Sequence, residues 1–363
     1  MFKTVVKILQ ILNEFVLSTG EYKNESEVTN SYWELIKEVM CEEKCILYSG
    51  ILVYGQFETT ILAGTVFQEL VIWSYNNSSE ASLDKSMMAQ PVTHRLTGHE
   101  GVIFSVNFNA NCRLISTTSD DRTTRLWKIN DIGASKIKDD ENCIPLSSNQ
   151  NYINWKFVEI SLHKVLSGIH VSRVFRSQFL FDNTKSNIDY PTAIATAGED
   201  SKICLWNTLT GKNIDTFIHD KHGKSPIWSI TSTSDFIGTN LLFSGGADSG
   251  VKMWQYMQTD SGCGNDTTVC NSKQFEIPSE RCNQASEITD NTKKTNSTND
   301  YPRIVLHLKN TSHTLCLTNS GKVFILSLRD NQEESDSKWI LLMNDTELFN
   351  YALMEYYPEN DKL

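Results

Sequence analysis

The chain has 363 residues, enough for one large repeat domain or two smaller ones, and carries 44 acidic against 33 basic side chains, a net charge of −11. That acid excess is a poor composition for a protein that grips nucleic acid by itself, since phosphate contacts need a basic face, and it leaves RNA contact to local patches or to a partner. No segment has the unbroken apolar length of a membrane span, and nine cysteines without a close framework read as free thiols of a reducing, intracellular compartment.

Met1 to Phe15 carries apolar side chains at mixed spacing and lacks a small-residue cleavage site, so it reads as folded chain rather than a signal peptide. Tyr32 to Cys41 places Trp33, Ile36 and Val39 on one side of a short helix. Residues 1–40 are therefore expected to form an N-terminal segment of atypical strands or helix. Cys41-x-x-x-Cys45 has no second pair or histidine at ligand spacing, and no metal site is expected.

From Cys45 to Trp73, CILYSGILVYG, TTILAGTVF and LVIWSY read as three short strands. Asn76 to Met88 is a polar linker. The best-formed unit follows, Leu96 to Ile129. Its strands are Val102 to Phe108, Arg113 to Ser119 and Thr123 to Ile129, opened by Gly98-His99 and closed by Trp127. Asp131 to Asn151 is a polar insertion. A further unit starts near Phe157 and ends at Trp206, with an insertion at Asp182 to Asp189, and another runs from Asn213 to Trp254. Gly245, Gly246 and Gly250 flank the last turn of that unit, where positive φ and tight backbone approach favour glycine. Gln258 to Asp300 is polar with few large apolar groups and reads as a disordered loop. Strands resume at Arg303 to Leu308, Thr314 to Thr318, Lys322 to Leu328 and Lys338 to Leu342. Residues 344–363 read as an acidic, solvated tail.

The units share more than strands. Asp121, Asp200 and Asp248 each lie six residues before a tryptophan, Trp127, Trp206 and Trp254. Four residues before each Asp stands a hydroxyl, Thr117, Thr196 or Ser244, and upstream of each a histidine: His99, His170 and, with a one-residue insertion, His222. A buried Asp can accept from a His, the His can bond the hydroxyl, and the hydroxyl can accept the indole N–H, so each polar group finds the partner that burial demands. These sets look like catalytic dyads but read as structural, and no catalytic residue is expected. The Cys45–Trp73 unit has Phe67 in the Asp place and Ala63 in the hydroxyl place, so apolar packing replaces the polar set. Cys112, Cys204 and Cys316 read as buried thiols in strands. Short strands in turn-separated, repeated units indicate an all-β protein, a β-propeller of blades at 41–343. Four units end in tryptophan and one has lost it, with scraps at both ends, so the ring is expected to be incomplete.

The working surface is expected at one rim. Five residues after the repeat histidine come Phe104, Phe175 and, allowing the insertion, Trp228. Asp120 and Glu199, just before two of the repeat aspartates, fall near the same rim, so these five residues are the candidates for partner binding. Arg122, Arg125, Arg173, Arg176 and Lys224 sit on blade edges or turns and are the candidates for phosphate contact.

Three stretches together resemble one family of WD-repeat proteins: Cys41–Trp73, above all ILAGTVFQELVIW; Arg95–Trp127, with RLTGHEGVIFSVNF and SDDRTTRLW; and Ser172–Trp206, with SRVFRSQFLF and TAGEDSKICLW. The family is the WD-repeat regulatory subunit of the tRNA wobble-position 2'-O-ribose methyltransferase, of which this chain resembles a partial copy. The resemblance implies a non-catalytic cytoplasmic adaptor that pairs with an FtsJ-type methyltransferase and directs it to the wobble nucleotide of tRNA. S-adenosylmethionine would then bind the partner, since no Gly-rich strand-to-helix turn is present here. The competing expectation is a general protein-protein scaffold unrelated to tRNA.

Overall fold

The structure, a computed structural model, describes residues 5–11, 33–40, 46–55, 58–76, 90–109, 113–132, 153–180, 193–219, 225–234, 240–261, 264–276, 300–308, 313–327 and 339–344. Five four-stranded antiparallel sheets follow one another along the chain. Blade 1 holds β3 (Leu47–Tyr54), β4 (Glu58–Thr65), β5 (Leu70–Asn76) and β6 (His94–Leu96), and is preceded by a separate pair, β1 (Val5–Ile11) with β2 (Trp33–Met40). Blade 2 holds β7 (Ile103–Asn109), β8 (Leu114–Ser119), β9 (Thr124–Asp131) and β10 (Val158–Leu166). Blade 3 holds β11 (Val174–Leu180), β12 (Ala193–Gly198), β13 (Lys202–Asn207) and β14 (Asn213–Ile218). Blade 4 holds β15 (Ile227–Ser234), β16 (Asn240–Gly246), β17 (Gly250–Ser261) and β18 (Gly264–Glu276). Blade 5 holds β19 (Pro302–His307), β20 (His313–Thr318), β21 (Lys322–Ser327) and β22 (Trp339–Asn344). The protein is an all-β propeller.

The first strand of each blade is innermost, and these strands pack in succession, β3 on β7, β7 on β11, β11 on β15 and β15 on β19. Among the described residues no comparable packing joins β19 back to β3. The core lies between blades. One cluster joins Leu62, Leu70 and Ile72 to Ile103, Ile115 and Trp127. Others join Leu114 and Leu126 to Phe179 and Trp206, Leu205 to Leu242 and Trp254, and Phe243 to Cys316 and Phe324. Middle strands buried on both faces are runs of apolar and small hydroxyl residues: every residue of β8 and of β12 is buried.

Three sequence expectations are corrected. Residues 33–40 are strand rather than helix: Trp33, Leu35 and Val39 also alternate with Glu34 and Glu38, and pairing with β1 selects that period. Val158–Leu166 and Asn213–Ile218 do not open new blades but close blades 2 and 3 as outermost strands. The sequence repeat is thus offset from the sheet by one strand, which ties each blade covalently to the next. Within the expected disordered loop, residues 258–261 and 264–276 are strand, where β18 pairs with β17 as the outer strand of blade 4. An outermost strand needs little apolar content, so composition alone misreads it. Residues 277–299, the 76–88 linker beyond Asn76, the Asp131 to Asn151 insertion from 133, Asp182 to Asp189 and the acidic tail from 345 lie outside the described residues.

Candidate functional site

One rim of the propeller is built the same way in every blade. The residue before the innermost strand accepts a backbone hydrogen bond from the turn between the second and third strands. The bonds are Val66 N–H to Ile46 O, Asp120 to Val102, Glu199 to Arg173, Ala247 to Pro226 and Asn319 to Tyr301, at 2.9–3.1 Å. Immediately beyond, each innermost strand breaks register by one residue: Tyr48, Phe104, Phe175, Trp228 and Arg303 stand at the five irregularities. Such a bulge turns its extra side chain out of the ladder.

Behind this rim lie the polar sets. In blade 2, His99 Nδ1 is 2.7 Å from Asp121 Oδ2 and His99 Nε2 is 2.8 Å from Thr117 Oγ1, which accepts from Trp127 Nε1 at 2.9 Å. In blade 3, His170 meets Asp200 at 3.0 Å and Thr196 at 2.8 Å, and Trp206 donates to Thr196 at 2.8 Å. The indole can only donate, so the threonine accepts from it and has its own proton left for the imidazole; the carboxylate, which only accepts, takes the other imidazole N–H. In blade 4 the histidine is His219, not His222. Its Nδ1 is 2.7 Å from Ser244, its Nε2 is 3.1 Å from Asp248, and Trp254 donates to Ser244 at 2.7 Å. His222 lies outside the described residues. The loop between histidine and innermost strand is longer here: counting back five residues from Trp228, as in the other blades, reaches Gly223, so a one-residue insertion selects His222, whereas the actual insertion is four residues. The ring is also turned over, with Nδ1 rather than Nε2 on the hydroxyl.

Each of these aspartates also caps its own turn, accepting from the N–H two residues on: Thr123, Lys202 and Gly250 at 2.9, 3.2 and 3.3 Å. The intervening residue is left-handed, with φ of 67° at Arg122, 59° at Ser201 and 63° at Ser249. Positive φ is thus carried by Arg and Ser, and Gly245 and Gly246 serve close approach instead. A Cβ on Gly245 would meet Val305 Cγ2 at 2.7 Å, and one on Gly246 would meet His219 Nε2 at 2.5 Å. Burial alone would raise the carboxyl pKa. The histidine hydrogen bond and charge outweigh it, with backbone N–H groups and, for Asp121, the Thr123 hydroxyl, and hold all three aspartates below the usual carboxylate range.

Blades 1 and 5 lack the set. In blade 1, Ala63 is buried and Phe67 is exposed, and the buried Trp73 indole N–H has no acceptor among the described residues. In blade 5, Cys316 takes the hydroxyl place, Ser320 the Asp place and Leu326 the Trp place; Asp300 supplies the carboxylate, accepting from Ser320 N–H at 3.0 Å and Ser320 Oγ at 2.5 Å. Cys204 and Cys316 are free and buried, while Cys112 lies outside the described residues.

The candidate contact residues separate. Phe104, Phe175 and Trp228 meet at the rim, Phe104 and Trp228 half-buried and Phe175 buried between them: Phe104 and Phe175 are edge to face at 5.2 Å, and Phe175 and Trp228 are stacked at 4.7 Å and 8°. Asp120 and Glu199 are also on it, one on either side of Arg173, at 2.7 and 3.9 Å from its Nε. The four described basic candidates do not form one patch. Arg173 is matched by those two carboxylates. Arg176 turns inward, donating to Phe104 O at 3.1 Å and Trp228 O at 3.2 Å, so it is a link between blades rather than a surface phosphate clamp. Arg125 packs against Gly98, Arg122 is exposed on its turn, and Lys224 lies outside the described residues. Sequence reasoning missed Tyr48, Tyr301 and Arg303. Tyr48 stands in a blade without the histidine that anchors the spacing, and Tyr301 precedes its bulge by two residues.

No group of three or more metal-ligating side chains occurs among the described residues. Among the described residues no helix is long and apolar enough to cross a membrane.

A family model, WD domain, G-beta repeat, matches residues 90–128, which span the outer strand of blade 1 and three strands of blade 2. A curated Drosophila melanogaster protein named tRNA (34-2'-O)-methyltransferase regulator WDR6 is 28% identical over 244 residues, 62% of this chain and 21% of the relative. The Mus musculus protein of the same name is 24% identical over 327 residues, 89% of this chain and 22% of the relative. The Homo sapiens one is 25% identical over 224 residues, 61% and 16%. The chain is similar to these WD-repeat regulators, and spans about a fifth of the length of the first two.

Proposed function

We propose that this chain is a non-catalytic WD-repeat adaptor, cytoplasmic, that pairs with an FtsJ-type methyltransferase and directs 2'-O-ribose methylation of the wobble nucleotide of tRNA. The observation that carries the reading is the similarity across most of the chain to proteins named as regulators of a tRNA 2'-O-methyltransferase. The site chemistry is in keeping with it. The histidine, carboxylate and hydroxyl groups that resemble catalytic sets are saturated by one another and by indole N–H groups, so none has a spare proton acceptor aimed at a substrate. S-adenosylmethionine is assigned to the partner enzyme. Phe104, Phe175 and Trp228, with Asp120 and Glu199 beside them, are the partner-facing group. Arg122, exposed on its turn, is the best placed of the basic candidates to touch tRNA.

The test is co-purification of the chain with FtsJ-type methyltransferases, followed by methyl transfer to tRNA. A complex more active at the wobble ribose than the enzyme alone is the expected result. Methyl transfer by the purified chain alone would overturn the adaptor reading.

A further inference from the structure

A cleft opens on the opposite rim, where β3 turns into β4 and where the short helical turn Trp155–Phe157 leads into β10. Val53, Tyr54 and Glu58 line one side and Ile153 and Trp155 the other, around about 300 Å³ of free space counting the open mouth. That is the small end of the range for ligand sites. The hairpin fixes Glu58. Gly55 N–H donates to Glu58 O at 3.0 Å, and a Cβ on Gly55 would meet that oxygen at 2.7 Å, so the approach needs glycine. Asn154 fixes the other side, where its side chain accepts from Lys156 N–H at 3.2 Å and caps the turn. Trp155 belongs to the core between blades 1 and 2, buried with Ile153 and tilted against Phe108 at 5.8 Å.

The polar side chains of the cleft are not all satisfied. The Thr60 hydroxyl, which also lines it, lies 2.8 Å from that of Ser74. The Glu58 carboxylate is half-buried and has no hydrogen-bond or ion-pair partner among the described residues. Lys156, next to Trp155 in sequence, is exposed and makes no ion pair with it. Tyr54 is 41% exposed, so an aromatic ring stands at the mouth as well as one at the base.

We infer that this cleft is a cation site that takes an ammonium group on an alkyl stem, supplied by a lysine side chain of another protein or by a free polyamine. The Glu58 carboxylate provides the counter-charge and accepts an N–H hydrogen bond, which is stronger for being charge-assisted. The rings of Tyr54 and Trp155 attract a cation through their π electrons. Val53 and Ile153 cover the methylenes, as apolar surface ordinarily covers a lysine stem. An anion is excluded by the same carboxylate, and a net charge of −11 draws cations to the molecule as a whole. The site lies away from Phe104, Phe175 and Trp228, and the inference does not depend on the partner being a methyltransferase.

The test is saturation-transfer NMR on the purified chain, titrated with Nα-acetyl-lysine methylamide, its Nε-trimethylated and Nε-acetylated forms, and spermidine. The amines are expected to receive saturation at the methylenes beside the nitrogen. The trimethylated form, which has no N–H to donate, should bind about tenfold more weakly, and the neutral acetylated form not at all. Glu58→Gln keeps the shape of the hairpin and should weaken the amines about tenfold with an unchanged melting curve. Tyr54→Leu, which keeps apolar bulk, should weaken them about threefold. Lysine bound as tightly as spermidine points to a protein as the natural source, and spermidine bound at least about tenfold tighter points to the free polyamine. No binding by any amine, equal binding of the acetylated or trimethylated form, or full binding by Glu58→Gln would overturn the proposal. Amine binding by a chain that fails to co-purify with a methyltransferase would sink the adaptor reading and leave this site standing.

Discussion

At the scale of single residues, the buried polar groups of blades 2, 3 and 4 are organised in matched sets, whereas the Trp73 indole of blade 1 has no acceptor among the described residues. Asp200 accepts from His170 and from the N–H groups of Val171 and Lys202. Asp200→Asn removes a charge that these donors are arranged to meet, and should cost about 1–3 kcal/mol in urea unfolding at pH 7; a loss below about 0.5 kcal/mol would mean the set is not holding the blade. The pH dependence has a definite sign. The folded-state pKa values of Asp121, Asp200 and Asp248 lie below the unfolded carboxylate value of 3.8. Their stabilisation is complete above about pH 5, and is lost as pH falls below the unfolded value and through the folded ones, because the unfolded chain takes up protons first. The urea midpoint should therefore drop steeply in acid, and Asp200→Asn should flatten that limb. The buried thiols behave oppositely. Burial pushes Cys204 up to about 12 and Cys316 up as well. Mass-mapped iodoacetamide labelling at pH 8 should leave both unmodified in the folded chain and modify both in urea.

At the scale of elements, the blade is set by its turns and by the strand that each repeat lends to its neighbour. Much of this is legible in the sequence, because Asp121, Asp200 and Asp248 keep fixed distances to a hydroxyl upstream and a tryptophan downstream within one tight hairpin. The histidine is joined to that hairpin by a loop of free length, so spacing located His99 and His170 but chose His222 over His219. The two variants separate these directly. His219→Ala should lose about 1–3 kcal/mol by leaving Ser244 and Asp248 short of a buried partner, whereas His222→Ala should stay within about 0.5 kcal/mol of the parent. The outer strands were the other illegible part. Gln258 to Ser261 of β17 and most of β18 are polar and carry the composition of a loop. What makes them strand is the hydrogen-bond ladder from Gly250–Glu276 to Ser261–Gly264, which no composition reports. The packed rings of the rim were half legible. Phe104, Phe175 and Trp228 follow the repeat, but Tyr48, edge to face with Phe104, and Tyr301, stacked on Trp228, enter through blades whose polar sets have decayed.

At the scale of the molecule, five blades place one repeated rim hydrogen bond, and with it the packed rings of Phe104, Phe175 and Trp228, on a common face. That division, rigid blades behind and a contact face in front, suits a regulator better than an enzyme. The most direct measurement is wobble-ribose methylation of tRNA by the FtsJ-type enzyme, titrated with this chain, with the chain alone as the control. The account predicts no transfer by the chain alone and a saturable rise in the enzyme's activity as the chain is added. Methyl transfer by the chain alone, or unchanged activity in a complex shown to be fully formed, would contradict it.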